Sequence, residues 1–270
     1  MYICPLCQLP LIENRHGQAC QNGHQFDRAR EGYINLLPVQ QKKSLDPGDN
    51  PTMIQARREF LTAGHYQPLS DALNQRMLQL PLPPNAAVLD LGCGEGYYSA
   101  RLQQALEQQS SQHFGIDISK AAIKAAAKRY PSIHFAVASS YALPFPDQSV
   151  DAIFRIYAPS KSAELTRICK AAGYLLTITP APHHLFELKQ RIYAEVRLHS
   201  SDVTEEPGFN HQQRQQLSWI FQPKTPTELN QLLSMIPLGY RMTPEVEQRL
   251  VQELPAIQLD FYLDLYQKTA

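Results

Sequence analysis

The stretch "AVLDLGCGEGYYSARL" at residues 87–102 sets the tightest limit on the fold. An apolar run stops at Gly92, Gly94 and Gly96, and helical spacing begins directly behind them. A buried strand that turns through glycines into a helix reads as the first half of a βαβ unit, whose next strand returns parallel to the first. The following residues keep that alternation. "HFGIDIS" and "IHFAVAS" read as strands around the helix "KAAIKAAAKRY". "SVDAIFRIYA" and "GYLLTIT" read as buried strands separated by the helix "SAELTRICK", and "HHLFELKQRIYAEV" as a further helix. The C-terminal "AIQLDFYLDLYQK" alternates like a late antiparallel strand. The expected fold class is α/β, a mostly parallel sheet with helices on both faces.

Glycine loops serve several cofactors, so the neighbouring residues decide between them. Asp90 stands two residues before the first glycine. Asp117 ends the next strand, 21 residues after Gly96, where a carboxylate can accept bonds from ribose hydroxyls. Nothing resembles G-x-x-x-x-G-K-[ST], so no triphosphate cradle is expected. Glu95 sits inside the loop, where it would repel a pyrophosphate. That counts against the competing reading, a dinucleotide dehydrogenase. An acidic loop suits S-adenosylmethionine, which carries a sulfonium and an ammonium.

The chain opens with a second constraint, "MYICPLCQLPLIENRHGQACQNGH". Cys4, Cys7, Cys20 and His24 follow the spacing C-x2-C-x12-C-x3-H. Two turn-forming knuckles joined by a short hairpin would complete a tetrahedral Zn2+ site. Four protein ligands close the shell, so the metal is expected to be structural. About 35 residues hold too little core to fold alone, and the ion would supply the missing stability. A redox C-x-x-C would instead follow a strand in a βαβ unit. His16 is a spare in the intervening loop.

Between these features, "QQKKSLDPGDN" reads as a polar linker. Asn50 then caps a helix that has Pro51 at its first position and runs to Gly64, and a second helix follows from about Gln67 to the stop "PLPP". The expected units are a zinc-binding module at 1–37, linker and helices at 38–85, and the S-adenosylmethionine-binding domain at 86–270. The 270 residues carry 25 basic and 25 acidic side chains, so net charge gives no support for a nucleic-acid partner. No run of 18 apolar residues occurs, which excludes a membrane-spanning helix. Five cysteines, an odd number, and a start lacking a basic-then-apolar leader point to the reducing cytoplasm.

The loop "DLGCGEG", followed by "LPFPDQSVD" and the strand after it, resembles the class I methyltransferases over residues 86–157. The N/D-P-P-aromatic motif of exocyclic-amine enzymes is missing from "RIYAPSK". Cys93 lies in the loop and Cys169 falls in a helix, so neither suits covalent cytosine chemistry. The finger, "FDRAREGYINLLPVQ", "DPGDN", "MIQARREFLTAGHYQPL", "IKAAAKRYP" and "RIYAP" together resemble the bacterial 23S ribosomal RNA guanine-N1 methyltransferases, the family that includes the tylosin-resistance enzymes. That resemblance covers nearly the whole chain. It implies 23S rRNA as substrate, with guanine 745 favoured over guanine 748, a zinc module that helps hold the RNA, and a homodimer. It also implies cofactor contacts at Tyr66 and His184 beside Gly94 and Glu95, which join Gly92, Gly96 and Asp117. The alternative is a methyltransferase acting on a small metabolite. Arg57, Arg58, Lys42 and Lys43 could meet RNA phosphates, and Phe26, Tyr33, Tyr66 and Tyr157 could stack a flipped base. No residue declares itself as the base for the N1 proton. Asp147 and Asp151 read as shaping the turn and strand around them.

Overall fold

The computed structural model describes residues 1–38, 40, 50–236, 238 and 242–269. Lys42 and Lys43 lie outside the described residues. The chain starts with a small antiparallel sheet of β1 (Ile12–Glu13), β2 (Gly17–Ala19) and β3 (Gln25–Asp27). Next comes β4 (Ile34–Asn35), which leaves that sheet and pairs in parallel with a strand of the large one.

Two helices follow, α1 (Pro51–Thr62) and α2 (Gln67–Leu78). Asn50 caps α1 as its sequence predicts, its side chain accepting from the Met53 N–H at 2.9 Å. Such a cap is worth about 1 kcal/mol. The alternating part then runs β5 (Ala87–Leu91), α3 (Tyr97–Ala105), β6 (Gln112–Asp117), α4 (Lys120–Arg129), β7 (His134–Val137), β8 (Val150–Ile156), α5 (Ser162–Ile168), β9 (Cys169–Pro180) and α6 (Phe186–Ile192). The chain closes with β10 (Phe209–Phe221), α7 (Pro226–Met235), α8 (Pro244–Glu253) and β11 (Ile257–Lys268).

The large sheet has the order β10-β11-β9-β8-β5-β6-β7-β4. Strands from β9 to β4 pair in parallel, while β11 is antiparallel to both of its neighbours, β9 and β10. β5 is buried at all five positions, as a central parallel strand covered on both faces must be. Strand order reverses between β5 and β8, so the ligand crevice is expected outside their carboxyl ends.

One core cluster packs Phe60, Leu69, Leu73 and Met77 of the two N-terminal helices against Phe154, Leu176 and Leu263 of the sheet. Another joins Tyr2, Cys4, Leu11 and Cys20 to Leu89, Phe114, Phe145 and Leu165. The small N-terminal sheet therefore shares its core with the catalytic fold. Tyr2 makes the join: its ring meets Phe114 and Phe145 edge-on, and its hydroxyl donates to the His134 carbonyl at 3.1 Å.

Several elements differ from the sequence expectation. Cys169 begins β9 instead of ending a helix, and α6 stops at Ile192 well before Val196. β10, α7 and α8 carry no expectation at all. Among the described residues, no helix is long and apolar enough to cross a membrane.

Candidate active site

The glycine loop closes β5 and opens α3, with Gly92, Gly94 and Gly96 all at left-handed φ. Two of these positions also admit no side chain. A Cβ on Gly92 would stand 2.5 Å from the Ala158 Cβ, just past β8, and one on Gly96 would stand 2.9 Å from the Phe135 ring. The first contact locates the loop at the reversal between β5 and β8.

Three carboxylates surround the loop, and each is held differently. Asp117, at the end of β6, accepts the Gly94 N–H at 2.9 Å and the Ser119 N–H at 2.8 Å, tying two successive loops to one side chain. Burial raises its pKa against the pull of those amides and of Arg57. Asp90 is 3% exposed and accepts the Ser99 hydroxyl at 2.5 Å. Burial, with the charge of Asp117 adding to it, pushes Asp90 up to about 7. Glu95 is as deeply buried and accepts Arg58 Nε at 2.5 Å. Its other oxygen, Oε1, is buried with no partner among the described residues. Burial raises Glu95 as well.

Arg58 therefore lies against the loop. Arg57 lies there too. Its Nη1 sits 3.9 Å from where a Gly94 Cβ would be, its Nη2 donates to the Met235 carbonyl at 3.4 Å, and it senses both Asp117 and Glu95. The sequence shows two adjacent arginines on a helix but not which face they occupy. Asp147 pairs with Arg167 at 2.9 Å, and Asp151 accepts both the Ala87 N–H and Lys170 Nζ, as expected of structural acids.

Tyr66 and His184 meet around another side chain, Phe261 of β11. The Tyr66 ring lies edge-on to it at 5.3 Å and the His184 ring lies 4.5 Å away. Tyr157, directly after β8, completes the group at 6.0 Å. His184 is 6% exposed, and burial, then Lys189 and His199, lower it to about 3. Its Nδ1 accepts the Asp260 N–H at 3.3 Å and its Nε2 lies 3.3 Å from the Tyr157 hydroxyl. Both ring nitrogens are thus engaged within the protein. Tyr98 on α3 senses Tyr66, and Tyr157 senses both, so the three phenols connect the Phe261 group to the glycine loop.

At the N-terminus, the ligand atoms of Cys4, Cys7, Cys20 and His24 all lie within 4.8 Å of one another. Cys4 Sγ to His24 Nδ1 is 3.5 Å, Cys20 Sγ to the same nitrogen 3.4 Å, and Cys7 Sγ to Cys20 Sγ 3.6 Å. A tetrahedron with Zn–S near 2.3 Å and Zn–N near 2.0 Å has edges of roughly 3.5–3.8 Å. The four donors fit Zn2+. His16 is exposed and outside the cluster.

Comparison with known proteins agrees with this geometry. A family model of the RlmA N-terminal zinc ribbon matches residues 2–45, and a methyltransferase-domain model matches residues 88–177. The 23S rRNA (guanine(748)-N(1))-methyltransferase of Streptomyces fradiae is 32% identical over 262 residues, 94% of this chain and 91% of its own length. A guanine-N1 relative from Micromonospora griseorubida is 33% identical over 70% of this chain and 68% of its own. Among solved structures, a geranyl diphosphate methyltransferase in complex with S-adenosylmethionine superimposes with a TM-score of 0.50 at 17% identity, covering 83% of this chain and 93% of that one. It shares the fold. With a zinc ribbon packed on a class I methyltransferase fold that uses S-adenosylmethionine, the chain belongs to the 23S rRNA (guanine-N1)-methyltransferase family.

Proposed function

We propose that this chain transfers the methyl group of S-adenosylmethionine to N1 of a guanine in 23S rRNA. The observation that carries this reading is the zinc ribbon sharing one core with the methyltransferase fold, in a chain similar from end to end to a 23S rRNA enzyme. A metabolite methyltransferase has no evident use for such a ribbon. Within the RNA we propose guanine 745, on the stretches "REGYINLLPVQ" and "RIYAP", although the Streptomyces fradiae relative is named for guanine 748. A cytoplasmic homodimer is the proposed working form.

Asp117 is the proposed ribose anchor, with Gly92, Gly94 and Gly96 letting backbone approach the cofactor. Glu95 Oε1, buried with no partner among the described residues, offers an acceptor to a cationic or hydroxyl group. Tyr66 is proposed to line the same crevice, and His184 to border it through Tyr157. Cys4, Cys7, Cys20 and His24 are the proposed zinc ligands. When bound, S-adenosylmethionine supplies an electrophilic methyl on a cationic sulfur. The protein supplies position and electrostatics, which dominate such transfers.

The test is transfer of labelled methyl to protein-free, unmodified 23S RNA, with transfer RNA and a metabolite extract alongside. The expected product is 1-methylguanosine in 23S RNA alone, and primer extension then gives its position. Label in the extract with none in RNA would overturn the reading.

A further inference from the structure

We propose that Tyr157 is a catalytic residue whose hydroxyl donates a hydrogen bond to O6 of the target guanine, and that His184 is the positioning residue that sets the direction of that donation. The inference rests on the guanine-N1 reading above and adds the group that handles the charge.

The placement comes first. Tyr157 lies just past the carboxyl end of β8, at the sheet's reversal, and its neighbour Ala158 packs on Gly92. Its φ is +57°, in the left-handed region. An aromatic residue is strained there, and the strain persists only where the surroundings impose it. The residue is 45% exposed while its hydroxyl reaches inward to the buried His184. It therefore has a face for a substrate and an anchor behind it.

The direction of the hydrogen bonds follows from one backbone amide. The Asp260 N–H can only donate, so the His184 Nδ1 that receives it carries the lone pair. The imidazole proton then sits on Nε2, which donates to the Tyr157 oxygen. The phenol's own proton is then free to be donated to a further acceptor. The titratable groups facing this hydroxyl are Tyr66 from the start of α2, Tyr98 from α3, Asp260 from β11 and His184. Burial first, then Tyr66, Tyr98 and Asp260, hold the phenol well above its ordinary range, so it stays protonated and is not the base.

Guanine N1 attacks only after losing its proton, which passes to water. The negative charge then spreads over N1 and O6. The N1–CH3 bond forms as the CH3–S bond breaks, and that electron pair remains on sulfur. A fixed donor on O6 stabilises the anion in a site that need not reorganise. Removing one such donor costs about 100- to 1,000-fold in rate.

The test is Tyr157→Phe, with S-adenosylmethionine affinity measured by calorimetry to confirm an intact cofactor site. The variant should form 1-methylguanosine about 100-fold more slowly at neutral pH. Its rise in rate with pH should move to more alkaline values. A second readout needs no turnover. A synthetic hairpin copying the 23S target is compared with one carrying 2-aminopurine, which lacks O6, at the target guanine. The wild-type protein should prefer the guanine hairpin about tenfold, the worth of one hydrogen bond, and Tyr157→Phe should show no preference. An unmoved pH profile or an undiminished preference would overturn the proposal, and cofactor affinity that falls with the rate would reassign Tyr157 to cofactor binding. A wild-type protein that makes no 1-methylguanosine removes the proposed function and this inference together. An active wild type beside an equally active variant removes only the inference.

Discussion

The ribbon and the catalytic sheet both keep acidic groups away from water, and they do so in opposite ways. The ribbon gathers three thiols and an imidazole around one point, with ligand atoms within 4.8 Å, all from 21 consecutive residues. A single divalent cation satisfies them together. The sheet scatters its buried carboxylates and neutralises each one separately. Glu95 meets Arg58, Asp264 meets Arg214 and His211, and Asp117 takes two backbone amides. Asp90 has one hydroxyl, and burial pushes its pKa up to about 7. One solution depends on spacing along the chain and the other on partners brought together by folding. Their failures should differ accordingly.

Removing the metal should have the largest effect. Structural zinc contributes about 10–16 kcal/mol in small fingers, comparable to the whole 5–15 kcal/mol stability of a domain. Because Tyr2, Cys4 and Cys20 pack in one cluster with Leu89, Phe114 and Phe145, the loss should not stay local. Scanning calorimetry with a strong chelator should show one transition moved to lower temperature, after metal analysis has found one zinc per chain. Two transitions, the upper one unmoved, would make the ribbon an independent appendage and break the comparison at its first term.

The same contrast explains what could be read from the sequence. The zinc spacing, the glycine loop, the Asn50–Pro51 helix start and the antiparallel last strand were legible because each depends on residues within a few positions of one another. β10 was not. Its centre, "HQQRQQ", lacks apolar alternation, since its inward side chains answer the acids of β11: His211 and Arg214 meet Asp264, and Gln216 meets Asp260 at 2.8 Å. Only the fold reveals that these polar residues face a buried seam. α7 did carry a local signal, Thr225 three residues before Glu228. Their side chains accept the Glu228 and Lys224 N–H groups respectively, a capping arrangement. The Tyr66–Tyr157–His184 group around Phe261 draws on four separate elements, and no local pattern announces it.

The β10–β11 seam gives the next largest test. Arg214 holds both oxygens of Asp264 at 2.8 and 2.9 Å and lies over the Tyr262 ring at 4.0 Å. Arg214→Leu would leave a carboxylate with 2% side-chain exposure and, among the described residues, His211 as its remaining ion-pair partner. Breaking a buried pair from one side costs about 3–5 kcal/mol, whereas replacing both partners is often close to neutral. Urea unfolding should therefore show a marked loss for Arg214→Leu and a partial recovery when Asp264→Leu is added. Equal losses in the single and double variants would mean that the seam is held by its backbone ladder and not by these charges.

The smallest effect should come from Asp90, where the neutralising agent is a proton. Its pKa in the folded chain is raised to about 7 from an ordinary value of 3.8, so the folded state holds a proton that the unfolded state has given up. The stabilisation from that proton is complete below about pH 3.8 and is lost as pH rises through 7. A displacement of that size corresponds to at most about 4 kcal/mol, and relaxation around the site brings it to on the order of 2 kcal/mol. Asp90→Asn keeps an oxygen to accept the Ser99 hydroxyl and carries no charge at any pH. The variant should match the wild type near pH 4 and exceed its stability near pH 8, with the gap opening between those values. A constant gap across the range would show that Asp90 is ionised throughout and that the Ser99 hydroxyl alone suffices to hold a bare carboxylate beneath the loop. The sheet would then need no protonated acid, and its difference from the ribbon would narrow to one between a metal and hydrogen bonds.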